Sequence, residues 1–150
     1  MLYTPHFLTG AAILKLIPNP YIGLPLALVS HFLLDLTPHN DFDIKPGATM
    51  KSILSKENKR RYFMLSFMAI DAVLMIISAY WIFSSLPNSI LLLSGGVAGI
   101  MPDLVEQILL VFGKAIPGWQ DKLQWRVSVK YGFITYPVVC LISLYILTRI

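Results

Sequence analysis

Between Ser30 and Asp41 the chain reads Ser30-His31-Phe32-Leu33-Leu34-Asp35-Leu36-Thr37-Pro38-His39-Asn40-Asp41, setting two histidines and two carboxylates into an apolar run. An ionised side chain in hydrocarbon costs at least about 2.5–3.5 kcal/mol, so such groups persist where they are paired, ligated or used. Imidazole with carboxylate is the donor set of a divalent cation. Cys140 is the single cysteine, which excludes a thiolate cluster and an intramolecular disulfide. The expected cofactor is therefore a divalent metal held through nitrogen and oxygen, zinc first, with manganese, iron or magnesium as alternatives.

Further ionisable residues lie in apolar surroundings: His6, Asp71, and the acids of Pro102-Asp103-Leu104-Val105-Glu106. His31 and Asp35 are four residues apart and share a helix face, as do Asp103 and Glu106, three apart. The expected metal ligands are His31, Asp35, His39 and Asp103, then His6 and Asp41, enough for a two-metal site that activates water and holds a phosphate or carbonyl oxygen. Glu106, kept off the metal as general base, and Asp71 are the catalytic candidates. Each has an ordinary alternative. His6 suits a capping or interfacial group, His31 with Asp35 an interhelical hydrogen bond, and His39 and Asp41 a solvated membrane edge. Asp71 suits a structural pair.

The elements that must position these residues follow from composition. The 150 residues are 56% hydrophobic and 13% charged, with mean hydropathy +0.68, well outside the soluble average. The expected fold is all-α: one integral membrane domain over 1–150, a polytopic transmembrane bundle of four to five helices at about 5–17, 20–37, 60–86, 89–113 and 131–149. The last three are long enough to span. The first two are shorter and suit a helical hairpin turning at Pro18-Asn19-Pro20. Thr4-Pro5 and Asn19-Pro20 read as N-cap and first helical residue, and Pro38 stops the second helix. Residues 45–60 read as a short surface helix or loop. No cleavable signal is expected, since a basic n-region and a small-x-small cleavage pattern are missing.

Basic residues concentrate in loops 38–60 and 114–130, while the 84–89 turn between them is uncharged. Lys and Arg favour cytoplasmic loops, which predicts a cytoplasmic N-terminus and cytoplasmic basic loops in a prokaryotic inner membrane. On that topology the embedded ionisable residues of the first four segments converge on the cytoplasmic half. The net charge of +4 then reads as attraction to anionic lipid heads, with no nucleic-acid partner expected. Residues 114–130 mix Trp119 and Trp125 with Lys114, Lys122, Arg126 and Lys130, four cations that suit binding of a lipid phosphate beside the site. Plain interfacial anchoring is the simpler alternative. Gly95, Gly99 and Asp103 form a row of four-residue steps on one face, a small-residue stripe for close helix packing, and Pro102 is expected to kink its helix and open a polar recess.

His6-Phe7-Leu8-Thr9-Gly10, Ser30-His31-x-x-Leu34-Asp35-x-x-Pro38-His39 and Gly99-x-x-Pro102-Asp103 together resemble elements of the YdjM-type inner-membrane metal-dependent hydrolases, which are similar to zinc-dependent phospholipase-like membrane proteins. The resemblance implies a metal role for His31, Asp35 and Asp103. The leading expectation is thus a membrane-embedded metal-dependent hydrolase acting at the cytoplasmic face on a lipid-linked or amphiphilic phosphoester. An ion, proton or metal transport protein using the same acids is the second reading, and a structural or lipid-binding membrane protein the third.

Overall fold

In the computed structural model, which describes residues 2–40, 48–55, 59, 61–114, 125, 127 and 132–150, six helices are present among the described residues. They are α1 (Tyr3–Leu16), α2 (Pro20–Asp35), α3 (Met50–Ile53), α4 (Arg61–Ser85), α5 (Ser89–Val111) and α6 (Thr135–Arg149). Local chemistry sets several ends. The Asn19 side chain accepts the Tyr21 N–H at 3.0 Å with Pro20 at the first helical position, which satisfies a donor that the helix start leaves over. Thr49 and Ser52 close a capping box around the single turn of α3. At the end of α2, the Thr37 hydroxyl and N–H both donate to the Leu34 carbonyl, at 2.6 and 2.9 Å, and helical geometry stops at Asp35 ahead of Pro38.

Helix α1 starts differently from the Thr4-Pro5 expectation. It begins at Tyr3 with Leu2 as N-cap and no capping side chain of its own. Pro5 fits the third helical position because its missing N–H is one of the four that no intrahelical carbonyl could accept.

A short helix is the centre of the molecule. Helix α1 packs against α2, α4, α5 and α6 together. Pro5, His6, Phe7, Leu8, Gly10, Ala11, Ala12 and Leu14 are all buried on it. Its small residues make this possible. A Cβ on Gly10 would collide with the Gly95 carbonyl, one on Gly95 with the Gly10 carbonyl, and one on Gly99 with the His6 carbonyl, so the backbones of α1 and α5 touch along the glycine row. The Thr9 and Ser143 hydroxyls bond at 3.1 Å and tie α1 to α6.

Around this centre the outer faces are apolar. Leu26 and Leu33 on α2, Ile70, Leu74 and Ile77 on α4, Ile108 on α5, and Leu141 and Ile142 on α6 are exposed. Helices α4 and α5, with 25 and 23 residues, are long and apolar enough to cross a membrane. Helices α2 and α6 are apolar but shorter, and the described α6 has 15 residues where the sequence predicts a full-length segment at 131–149.

Candidate metal centre

Four elements bring their polar residues to one end of α1. The Asp71 carboxylate of α4 accepts the N–H groups of Tyr3 at 2.6 Å and Thr4 at 3.1 Å, and the Thr4 hydroxyl donates to the Asp71 carbonyl at 3.0 Å. Asp71 therefore caps α1 from another helix, neutralising two start-of-helix donors and placing a negative charge at the positive end of the dipole. One turn on, His6 projects between α2 and α5. His31 and Asp35 occupy the last two turns of α2. Asp103 follows Pro102 on α5; Pro102 offers no N–H to the Ala98 carbonyl and crowds it, and the next carbonyl, that of Gly99, accepts a hydrogen bond from His31 Nδ1 at 3.0 Å.

His39 comes from the turn after α2, and that turn is held from several sides. Trp125 N–H donates to the Asp35 carbonyl at 3.0 Å, His39 N–H to the Trp125 carbonyl at 3.1 Å, and Val127 N–H to the His39 carbonyl at 2.8 Å. Asn40 Nδ2 donates to the Val127 carbonyl at 2.9 Å. The hydroxyls of Thr135 and Tyr136 donate to the carbonyls of Pro38 and Asn40. Gly132 packs so closely that a Cβ there would meet the Asn40 backbone N at 2.7 Å.

The result is three imidazoles around one carboxylate. Asp35 Oδ1 lies 3.3 Å from His6 Nε2 and 3.8 Å from His39 Nε2, and Asp35 Oδ2 lies 3.5 Å from His31 Nε2. His31 Nε2 is also 3.5 Å from Asp103 Oδ1. All three histidines are 0% exposed, Asp35 is buried, and the Asp103 side chain retains 19%. Backbone carbonyls can only accept, so the contacts of His31 Nδ1 to Gly99 and of His39 Nδ1 to Thr37, at 2.8 Å, put the proton on Nδ1 in the neutral rings. The Nε2 atoms of His31 and His39 are then the ring nitrogens that point to the Asp35 carboxylate. His6 and His31 stack with centroids 4.1 Å apart, which opposes charging both rings. His6 is fully buried, and neither of its ring nitrogens has a hydrogen-bond partner.

The spacing of these atoms is compatible with ligation of a cation. Ligand atoms about 2.1 Å from a tetrahedral centre stand about 3.4 Å apart, the spacing seen here and longer than a charge-assisted hydrogen bond of about 2.7–2.9 Å. The donor atoms of His6, His31 and Asp35 all lie within 4.8 Å of one another, and this group could hold a metal ion. Backbone carbonyls receiving the other ring proton are the usual outer support of a ligating histidine.

Of the residues expected from sequence, His6, His31, Asp35, His39 and Asp103 are brought together. Asp71 is not among them; its carboxylate is engaged at the start of α1. Glu106 is half-buried on α5 one turn beyond Asp103, and Lys114 is exposed in the turn that follows α5. Asp41, Lys122, Arg126 and Lys130 lie outside the described residues.

Sequence reasoning did not find Tyr3, whose hydroxyl is buried without a hydrogen-bond partner, nor Asn40, Thr135 and Tyr136, which hold the turn bearing His39. Tyr3 stands three residues before His6 and so on the same helix face, a signal that was available. The hydroxyl partners of the turn lie 96 and 97 residues away in the chain, and no local pattern marks them. Compared with known protein families, curated proteins and solved structures, the chain gives no match.

Proposed function

We propose that the chain is a membrane-embedded, metal-dependent hydrolase that acts at the cytoplasmic face on a lipid-linked or amphiphilic phosphoester. The observation that carries this reading is the meeting of His6, His31 and Asp35 with donor atoms within 4.8 Å of one another, with His39 and Asp103 against them and with the Nδ1–H of His31 and His39 directed to backbone carbonyls so that Nε2 is the ligating atom. A divalent cation held there, zinc in first place, supplies Lewis acidity that activates water near neutral pH and offsets charge on a phosphoryl oxygen. Glu106, three residues after Asp103 and so on the same helix face, is the general base of this proposal, its carboxylate accepting the proton of the attacking water. Asp71 is a positioning residue that sets where His6 stands.

The surroundings of Asp103 support the substrate class. It is the more exposed carboxylate of the cluster, and the other face of its helix exposes the apolar Met101, Val105 and Ile108. A site in a bundle with such outer faces favours an amphiphile over a free sugar or nucleotide. The apolar outer faces and the two membrane-length helices favour a bundle of four to five helices set in the inner membrane, and the basic residues Lys114, Lys122, Arg126 and Lys130 of the sequence are the cations suited to a lipid phosphate.

Full burial of the three imidazoles also suits a second reading, an occluded binding step of metal transport. The deciding experiment is elemental analysis of purified protein with hydrolysis of a short-chain phosphatidic acid in detergent, in the wild type and the Glu106→Gln variant. Metal retention in both proteins, with turnover lost at least 100-fold in Glu106→Gln, is the expected result. Metal retention without turnover, accompanied by zinc uptake into liposomes, would replace the hydrolase with a transporter.

A further inference from the structure

The cluster has more donors than one cation uses, and they divide between the two oxygens of one carboxylate. Oδ1 of Asp35 faces His6 Nε2 and His39 Nε2, at 3.3 and 3.8 Å. Oδ2 faces His31 Nε2 at 3.5 Å, and that nitrogen in turn faces Asp103 Oδ1 at 3.5 Å. We infer that Asp35 is the bridging carboxylate of a dinuclear centre, with one cation taken by His6, His39 and Asp35 Oδ1 and the other by His31, Asp103 and Asp35 Oδ2. The inference rests on the metal-centre reading above and adds to the two-metal expectation its bridge and the division of its ligands.

Several features favour two ions over one. Divided in this way, each ion would have three protein ligands, the count that leaves positions open for water and a substrate oxygen. A carboxylate bridging through both oxygens suits the separation of about 3.5–4 Å found in two-metal hydrolytic sites. The stacked rings of His6 and His31, 4.1 Å apart, run side by side and direct their Nε2 atoms to different oxygens of Asp35, as adjacent cations require. Charge points the same way. One divalent ion against Asp35 and Asp103 is neutral, whereas two leave the centre positive and attractive to an anionic phosphoester.

The half-sites also differ in access. The His6–His39 half is closed in by the turn at 36–40 and its bonds to Trp125 and Val127, while the His31–Asp103 half contains the partly exposed carboxylate. The buried ion is thus the tightly held one, and the ion beside Asp103 is the exchangeable one that meets substrate.

The test uses the full chain in detergent, stripped with chelator, reloaded with zinc alone, desalted and quantified by mass spectrometry against amino-acid analysis. Two zinc per chain are expected in the wild type, one in His39→Ala, one in Asp103→Asn, and less than one in Asp35→Asn, with folding checked by circular dichroism. Loading with manganese adds a readout free of any variant: a bridged pair gives an exchange-coupled multiline resonance spectrum. One equivalent in the wild type with an uncoupled six-line manganese signal would overturn the dinuclear centre and leave the metal-dependent reading standing. No retained metal would overturn both.

Discussion

At the scale of single residues, the same chemical type does different work according to its partners. Asp35 and Asp71 are both buried carboxylates in apolar helices. Asp71 accepts two backbone N–H groups and holds the start of α1, whereas Asp35 stands among three imidazoles. The difference is testable. Asp71→Ala leaves the N–H groups of Tyr3 and Thr4 without their acceptor, so we expect a loss of about 1–3 kcal/mol in stability with zinc content per folded chain retained. Thermal unfolding in detergent paired with metal analysis checks this; loss of zinc at unchanged stability would instead make Asp71 a ligand.

Among helices, the decisive contact is the glycine-lined meeting of α1 and α5. Gly99 has two tasks there, since its lack of a Cβ admits the His6 backbone and its carbonyl receives the His31 proton. Gly99→Ala places a methyl against the His6 carbonyl, which as backbone cannot swing aside. We expect a cost of about 1–3 kcal/mol and reduced zinc retention although no ligand is altered. Val97→Ala, at an exposed position of the same helix, is the control and should lie within about 0.5 kcal/mol of wild type. Equal zinc retention in both variants would uncouple helix approach from the site.

For the whole molecule, the arrangement proposed is a bundle whose polar end faces the cytoplasm. Ser85 and Lys114 are both exposed, and α5 lies between them. In a Cys140→Ser background, Ser85→Cys should react with an impermeant maleimide applied to intact cells, and Lys114→Cys only after the membrane is opened. The reverse pattern would invert the topology and move the metal centre to the outer face.

Much of the helical layout was legible because helix starts, stops and apolar length are local properties. Asn19-Pro20 starts α2 and Pro38 follows its end for reasons contained within a few residues. The candidate ligands were legible too, because an imidazole or carboxylate in an apolar segment stands out by its desolvation cost alone. Pairing was not legible. Asp71 reaches Thr4 across 67 residues, and His31 reaches Gly99 across 68, so spacing says nothing of either. Nor did length foretell that α1, 14 residues long, would be the central helix. Burial on all sides follows from small residues matched to those of α5, a property of two surfaces at once. Residue type and local periodicity are written in the chain. Which carboxylate caps a helix and which meets the histidines depends on distances that exist only once the helices have packed.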